Sequence, residues 1–143
     1  MVYIAMVRPR WSDMDAFGHV NHAKMVTLLE EARVPLLFDE ASRAGLTAFA
    51  RGMVVVKLAV HYRKPIVVNG QEVRVELELR ELKIASLTLG YSVHNGPSGE
   101  DGVAVTAETL LAPYDVESGR PRRLTDAERA FLADRLSMAE SAR

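Results

Sequence analysis

Asp15-Ala16-Phe17-Gly18-His19-Val20-Asn21-His22 gathers a carboxylate, a glycine, two imidazoles and a side-chain amide, with a second carboxylate, Asp13, two positions upstream. Groups of these types move protons, orient water and attack carbonyl carbon. An apolar-patterned segment over residues 23–45 follows at once, so the cluster stands at what the spacing predicts to be a helix start. The first amides of a helix lack an intrahelical acceptor and lie at the positive end of its dipole, where an oxyanion is stabilised. The combination points to acyl chemistry.

Those groups need a frame, and the rest of the chain supplies its pattern. Residues 2–10, rich in Val, Tyr, Ile and Met, predict a first strand. Asn21 suits the N-cap of the helix. Met25, Leu28, Leu29, Ala32 and Leu36 follow the i, i+3, i+4, i+7, i+11 spacing of a helical stripe. Val34, Leu37 and Phe38 widen it until the helix is apolar almost all round, which predicts burial on more than one side. Pro35 removes a hydrogen bond to Glu31 and is expected to kink the helix, and Gly45 suits its end.

Beyond Gly45 the period changes from 3.6 to 2. Val54, Val56, Leu58, Val60 and Tyr62 alternate until Pro65 and Gly70 intervene. Val73, Val75, Leu77 and Leu79 alternate with Glu72, Arg74, Glu76, Glu78 and Arg80, a strand with one face in water. Leu87, Leu89, Tyr91 and Val93 form another row. The turn cluster Asn95–Gly99 joins it to Val103, Val105, Ala107, Thr109 and Leu111 as a hairpin. Thr125-Asp-Ala-Glu128 is a capping box opening a short helix through Met138. Strand, long helix, four strands and short helix make an α+β chain, its antiparallel sheet crossed by one apolar helix.

Composition excludes several classes. The 143 residues are read as a single domain, 1–143, with 48% apolar and 26% charged residues, ordinary for a globular protein. A net charge of −1 gives no electrostatic case for nucleic acid or an anionic membrane. The absence of cysteine excludes disulfides, thiol nucleophiles and Cys-zinc sites. Arg8 and the lack of a long apolar run near the N-terminus argue against a signal peptide and against membrane insertion, so a cytoplasmic, soluble protein is expected. Asp13, Asp15, His19 and His22 are of metal-ligand type. The His-x-x-His spacing precedes the helix, however, and His61 and His94 stand alone on strands, so no metal is expected.

The element order resembles the hotdog fold, a five-stranded antiparallel sheet wrapped around a central helix. Residues 10–33, Arg-Trp-Ser-Asp-Met-Asp-Ala-Phe-Gly-His-Val-Asn-His-Ala-Lys-Met-Val-Thr-Leu-Leu-Glu-Glu-Ala-Arg, are similar to the signature of the 4-hydroxybenzoyl-CoA thioesterase-like family. That signature reads Asp-x-Asp, two residues, Gly-His-Val-Asn, then a helix with Glu-x-Ala-Arg. Pro65, Val68-Asn-Gly-Gln-Glu-Val73, Ser86 and Gly119-Arg-Pro-Arg-Arg-Leu124 also fall where the family has them.

The resemblance implies an acyl-CoA thioesterase with Asp15 as its catalytic carboxylate, acting as nucleophile or as general base on water. The base route is expected to draw on burial and on nearby Asp13. The plainer alternative is that both aspartates hold a turn. His22 would orient water or polarise the carbonyl, and Asn21 is either a substrate donor or the helix cap. Gly18 would let backbone approach the ligand or take positive φ. His19 is expected to fix the loop, and amides near residues 22–24 to receive the oxyanion. Glu31 would pair with Arg33 or another base, or wall the pocket.

Coenzyme A phosphates call for basic residues at the mouth, for which Arg63, Lys64 and Lys83, with Ser86 beside the last, are candidates. Solvated strand-edge charges are the alternative. Met25 stands where the family commonly has Tyr. Only Lys83 fits the family's basic cluster before the serine, because Ile84 and Ala85 are apolar. The resemblance further implies a homodimer, or a tetramer, acting on an acyl-CoA or acyl carrier protein thioester with no cofactor besides the coenzyme A of the substrate. Two other readings are a hydratase or dehydratase of acyl thioesters and a non-catalytic acyl-thioester binder.

Overall fold

A computed structural model of the chain describes residues 2–138. Strands β1 (Tyr3–Val7), β2 (Met53–Tyr62), β3 (Val73–Leu82), β4 (Leu87–His94) and β5 (Val103–Asp115) form one antiparallel sheet in the order β1-β3-β4-β5-β2. The two strands that flank the helix in sequence are therefore the two edges of the sheet. The chain between them has to cross a whole face, and the helix does so. Met25, Leu28, Leu29, Ala32, Leu36, Leu37 and Ala41 pack from it onto Val75, Leu77, Leu89 and Tyr91 in one apolar core. A curled antiparallel sheet around a long helix is the hotdog arrangement expected from the resemblance. A sixth strand, β6 (Arg120–Pro121), pairs with the end of β5 and was not foreseen. Its two residues return from a turn at Gly119, where φ is +68°.

The first strand ends at Val7, short of the expected residue 10. Arg10 and Asp13 bond each other reciprocally across a 3₁₀ turn, Trp11–Asp13, and that turn ends extended pairing. Helix α1 (His22–Val34) starts at the cap foreseen for it: Asn21 Oδ1 accepts from the Ala23 amide at 2.9 Å. At Pro35 the helical backbone does not break. The missing N–H and the ring's need for space are absorbed by a wider π-helical stretch, Pro35–Glu40, which leads into α2 (Ala41–Arg43). Gly45, at φ +83°, ends the run. A short helix, α3 (Ala48–Arg51), precedes β2.

Strand β3 shows the predicted alternation, with Val73, Val75, Leu77 and Leu79 buried. Strand β2 departs from it. A bulge between Val55 and Lys57 shifts the register against β5, so Met53 and Val55 share the helix-facing side with Leu58, Val60 and Tyr62. The unbroken row Val54–Tyr62 read from sequence is thus split. Among the described residues β2 pairs only with β5, and Val54, Val55, Val56 and Leu58 remain exposed.

The last helix, α4 (Asp126–Arg135), has the predicted capping box, but it ends three residues before Met138. Leu136 turns into the core, and Met138 leaves the helix to bridge Leu79 of β3. No helix among the described residues is long and apolar enough to cross a membrane.

Candidate active site

Asp15 sits in a small closed loop. A bridge between Met14 and Val20 shuts its base, the Asp15 amide donates to the His19 carbonyl at 2.7 Å, and Gly18 turns the chain at φ +79°. No atom lies near the position of a Gly18 Cβ, so this glycine is required for its backbone angle and not for close approach. The loop is docked on residues 66–68: Val20 donates to the Ile66 carbonyl at 2.8 Å and Val68 to the Gly18 carbonyl at 3.0 Å.

Within the loop the Asp15 carboxylate is oriented from one side only. Oδ1 accepts from the amides of Phe17 (2.8 Å) and His19 (3.2 Å), while Oδ2 has no hydrogen-bond partner among the described residues. The turn-holding bonds therefore occupy one oxygen of the side chain and leave the other without a partner among the described residues. Asp13 goes another way. It is buried and takes two side-chain hydrogen bonds from Arg10 (3.1 and 3.2 Å) as well as the Arg10 amide at 2.8 Å. Burial alone would raise the Asp13 pKa, but the bonds and charge of Arg10 outweigh it and hold the carboxyl below its ordinary value. Its charge is spent on the turn, so the expected pair of cooperating carboxylates does not form.

Asp15, His19, Val20, His22, Tyr62, Arg63, Lys64 and Pro65 line a cleft of about 350 Å³. It joins the loop and the start of α1 to the end of β2. Arg63 and Lys64 are set there by their amides, both donating to the Ala104 carbonyl of β5 (2.9 and 3.1 Å). At the helix start the Ala23 amide is already held by Asn21, and the Met25 amide by the Asn21 carbonyl at 3.1 Å. Among the described residues the amides of His22 and Lys24 have no acceptor, and of the two residues only His22 lines the cleft. Asn21 spends its side-chain oxygen on the cap, and neither it nor Gly18 is among the residues that line the cleft.

Tyr62 was missed by the sequence reading, which saw it only as the last residue of an alternating row. Its hydroxyl donates to the His22 carbonyl, tying the edge strand to the first turn of α1. Burial pushes the phenol pKa upward and keeps it a neutral donor. The signal that could have found it is its place immediately before Arg63-Lys64. His19, given a loop-fixing role, does bridge Val67 through its backbone, and its ring also lines the cleft.

Lys83 and Ser86 lie elsewhere. They form the β3–β4 turn, where Lys83 pairs with Glu81 at 3.3 Å and donates its amide to Ser86. That turn is level with the Met53 end of β2, whereas the Asp15 cleft is at the Tyr62 end. A ten-residue strand separates them by about 30 Å. Within one chain they are not part of the cleft. Glu31 pairs with Arg10 (3.8 Å) and not with Arg33. Among the described residues no three His, Asp or Glu side chains converge as a metal site would need.

The fold and this loop define a class. Residues 9–134 match the model of the Thioesterase-like superfamily, and the chain belongs to it. It is 30% identical over 105 residues to the long-chain acyl-CoA thioesterase FadM of Escherichia coli K12, covering 73% of this chain and 76% of that one. It is 29% identical to the acyl-CoA thioester hydrolase YbgC of Escherichia coli O6:H1, covering 82% and 86%. A thioesterase from Thermus thermophilus, solved with coenzyme A and zinc, superposes with a TM-score of 0.73 at 27% identity over 92% of each chain. The enzymatic class is thioester hydrolase.

Proposed function

We propose that the protein hydrolyses acyl-CoA thioesters to the free acid and coenzyme A, with Asp15 driving the reaction. One observation carries the reading: a single cleft gathers Asp15, His22 at the start of α1 and the Arg63-Lys64 pair from segments more than 40 residues apart. The thioester carbonyl oxygen rests on the His22 and Lys24 amides, which stabilise it as negative charge develops. Oδ2 of Asp15 takes a proton from water as the water oxygen adds to the carbonyl carbon. The tetrahedral intermediate then expels the thiolate, which takes that proton. Direct attack by Oδ2 uses the same placement: the C–S bond breaks as the mixed anhydride forms, and water then opens the anhydride to the acid and the free Asp15 carboxylate, its second proton going to the thiolate. His22, which lines the cleft, is the group that orients the water, and Arg63 and Lys64 receive phosphate. No cofactor beyond the substrate's own coenzyme A is needed, and no step needs a membrane.

The active form in this reading is a homodimer joined through β2. Its free edge is ten residues long and carries Val54, Val55, Val56 and Leu58 in the open. Such an edge is an association hazard unless it is covered. Antiparallel pairing of two β2 edges sets the Met53 end of one protomer beside the Tyr62 end of the other. Lys83 and Ser86 of the partner subunit then come to the Asp15 end, which accounts for their distance within one chain.

Thiol release from a panel of acyl-CoAs tests the activity, with acyl carrier protein thioesters as the comparison. Tight binding without release for every substrate would replace the reading with a non-catalytic binder. Val56→Lys places a charge on the free edge at a side chain that is 60% exposed, where the isolated protomer tolerates it. Sedimentation should then give a mass of 15.8 kDa in place of twice that value, with turnover lost. A dimer persisting in this variant would move the interface elsewhere. Tyr62→Phe removes one hydrogen bond to the helix start, so kcat should fall about three- to tenfold with KM nearly unchanged.

A further inference from the structure

Arg33 is nearly buried and underused. It lies on the face of α1 that carries His22, eleven residues and three turns further on, about 16 Å along the axis. Its side chain is only 12% exposed. One of its five N–H donors reaches the Tyr91 hydroxyl (3.2 Å), which is bonded in turn to Thr109 Oγ1 at 2.8 Å. Burial pushes the Tyr91 phenol upward, so it stays neutral and supplies no counter-charge. Among the described residues the one carboxylate within salt-bridge range is Glu30 at 3.9 Å, beyond hydrogen-bond reach and on a side chain 69% exposed to water. A guanidinium in such a place calls for a closer acceptor.

The space in front of it is a cleft of about 180 Å³ between α1 and β2, lined by Glu30, Arg33, Val34, Phe38, Met53 and Val55 among others. Its walls are otherwise apolar. Between this cleft and the Asp15 cleft, Val26 of α1 and Leu58 of β2 are both exposed, and the β2 bulge keeps Leu58 and Val55 on the same side. Val26 and Leu58 thus offer exposed apolar surface between the two clefts, and the cation Arg33, with Glu30 beside it, lies at the far one.

We infer that this cleft receives the far end of the acyl group and that Arg33 selects acyl thioesters bearing a terminal carboxylate. The inference rests on the thioesterase reading and deepens it. An extended chain of about twelve carbons spans the 16 Å from a carbonyl at His22 to the guanidinium. The carboxylate takes the bidentate geometry for which guanidinium is suited, and Glu30 stays in solvent. A terminal hydroxyl satisfies the donors without the charge and ranks second.

The test compares dodecanoyl-CoA with its ω-carboxy and ω-hydroxy analogues by thiol release. Wild type should favour the ω-carboxy substrate by about tenfold or more in kcat/KM, since a site built around polar groups discriminates against a partner that leaves them unfilled. Arg33→Met should bring the ratio near one while dodecanoyl-CoA is still hydrolysed, and Arg33→Lys should keep part of the preference. A wild-type ratio of one or less overturns the inference. So does a ratio unchanged in Arg33→Met, or a variant in which only dimer dissociation shifts, which would make Arg33 an interface residue. Calorimetric binding of dodecanedioate to wild type and to both variants reads the cleft without turnover. That measurement decides the inference even if hydrolysis of every thioester fails, an outcome that counts against the proposed activity alone.

Discussion

Asp15→Asn should lower kcat for acyl-CoA hydrolysis by about a thousandfold, within the 10²–10⁴ range of a lost general base and at the lower end for a lost nucleophile. The fold should survive. The amide oxygen of Asn can still accept from Phe17 and His19, which are the two bonds Asp15 Oδ1 makes in holding its loop. What disappears is the second oxygen with its charge, the one that makes no hydrogen bond among the described residues. The variant thus separates the turn-holding function of this side chain from its chemical function, which Asp15→Ala would not do. Unfolding free energies within about 0.5 kcal/mol of wild type, measured beside the rate, establish that the loss is chemical. Unchanged turnover in a well-folded Asp15→Asn protein would remove the carboxylate from the mechanism and leave the His22 and Lys24 amides without a partner in it.

Much of this site was legible because its determinants are local. Asp15, Gly18, Asn21 and His22 lie in one short stretch, and the cap and the turn each follow from a residue type at a fixed offset. Arg63 and Lys64 were legible as charges but not as neighbours of Asp15. Their placement depends on β2 being an edge and on the backbone bonds to Ala104, which no local pattern encodes. The misreadings share a cause. Asp13 looked like a helper to Asp15 because the two are adjacent in sequence, yet Arg10 claims it inside the 3₁₀ turn. The row Val54–Tyr62 looked regular because a bulge preserves residue types while shifting register. In each case a tertiary or backbone adjustment won over a pattern that was locally sound. Tyr62 went unseen for the converse reason: its function is a single long-range contact, and an alternating strand explains its presence without one.

The largest effect on stability is expected far from the cleft, at Glu128. This carboxylate is 1% exposed and fully used. Arg122 grips both of its oxygens at 2.7 and 2.8 Å, and the Thr125 amide donates to Oε1 at 2.9 Å, completing the capping box that starts α4. Glu128→Ala would strip the cap and strand a largely buried guanidinium, a loss of about 3–5 kcal/mol. Because α4 carries Phe131 and Leu132 into the core, and Leu136 follows it there, the loss should appear as a lower urea midpoint for the whole protein and not as local fraying. Glu128→Gln, which keeps the shape and loses the charge, should cost less, about 1.5–3 kcal/mol. The same carboxylate sets an acid limit. Burial pushes its pKa up, but Arg122 and the Thr125 bonds win and hold it below the ordinary 4.5. With the folded value depressed, its stabilisation is complete above pH 4.5 and is lost as pH falls through the folded value. Urea midpoints should therefore be flat near neutrality and decline below pH 4.5, and in Glu128→Gln that decline should be shallower. An equally steep decline in the Gln variant would assign the acid sensitivity to the other depressed carboxyls, Asp13 and Glu76.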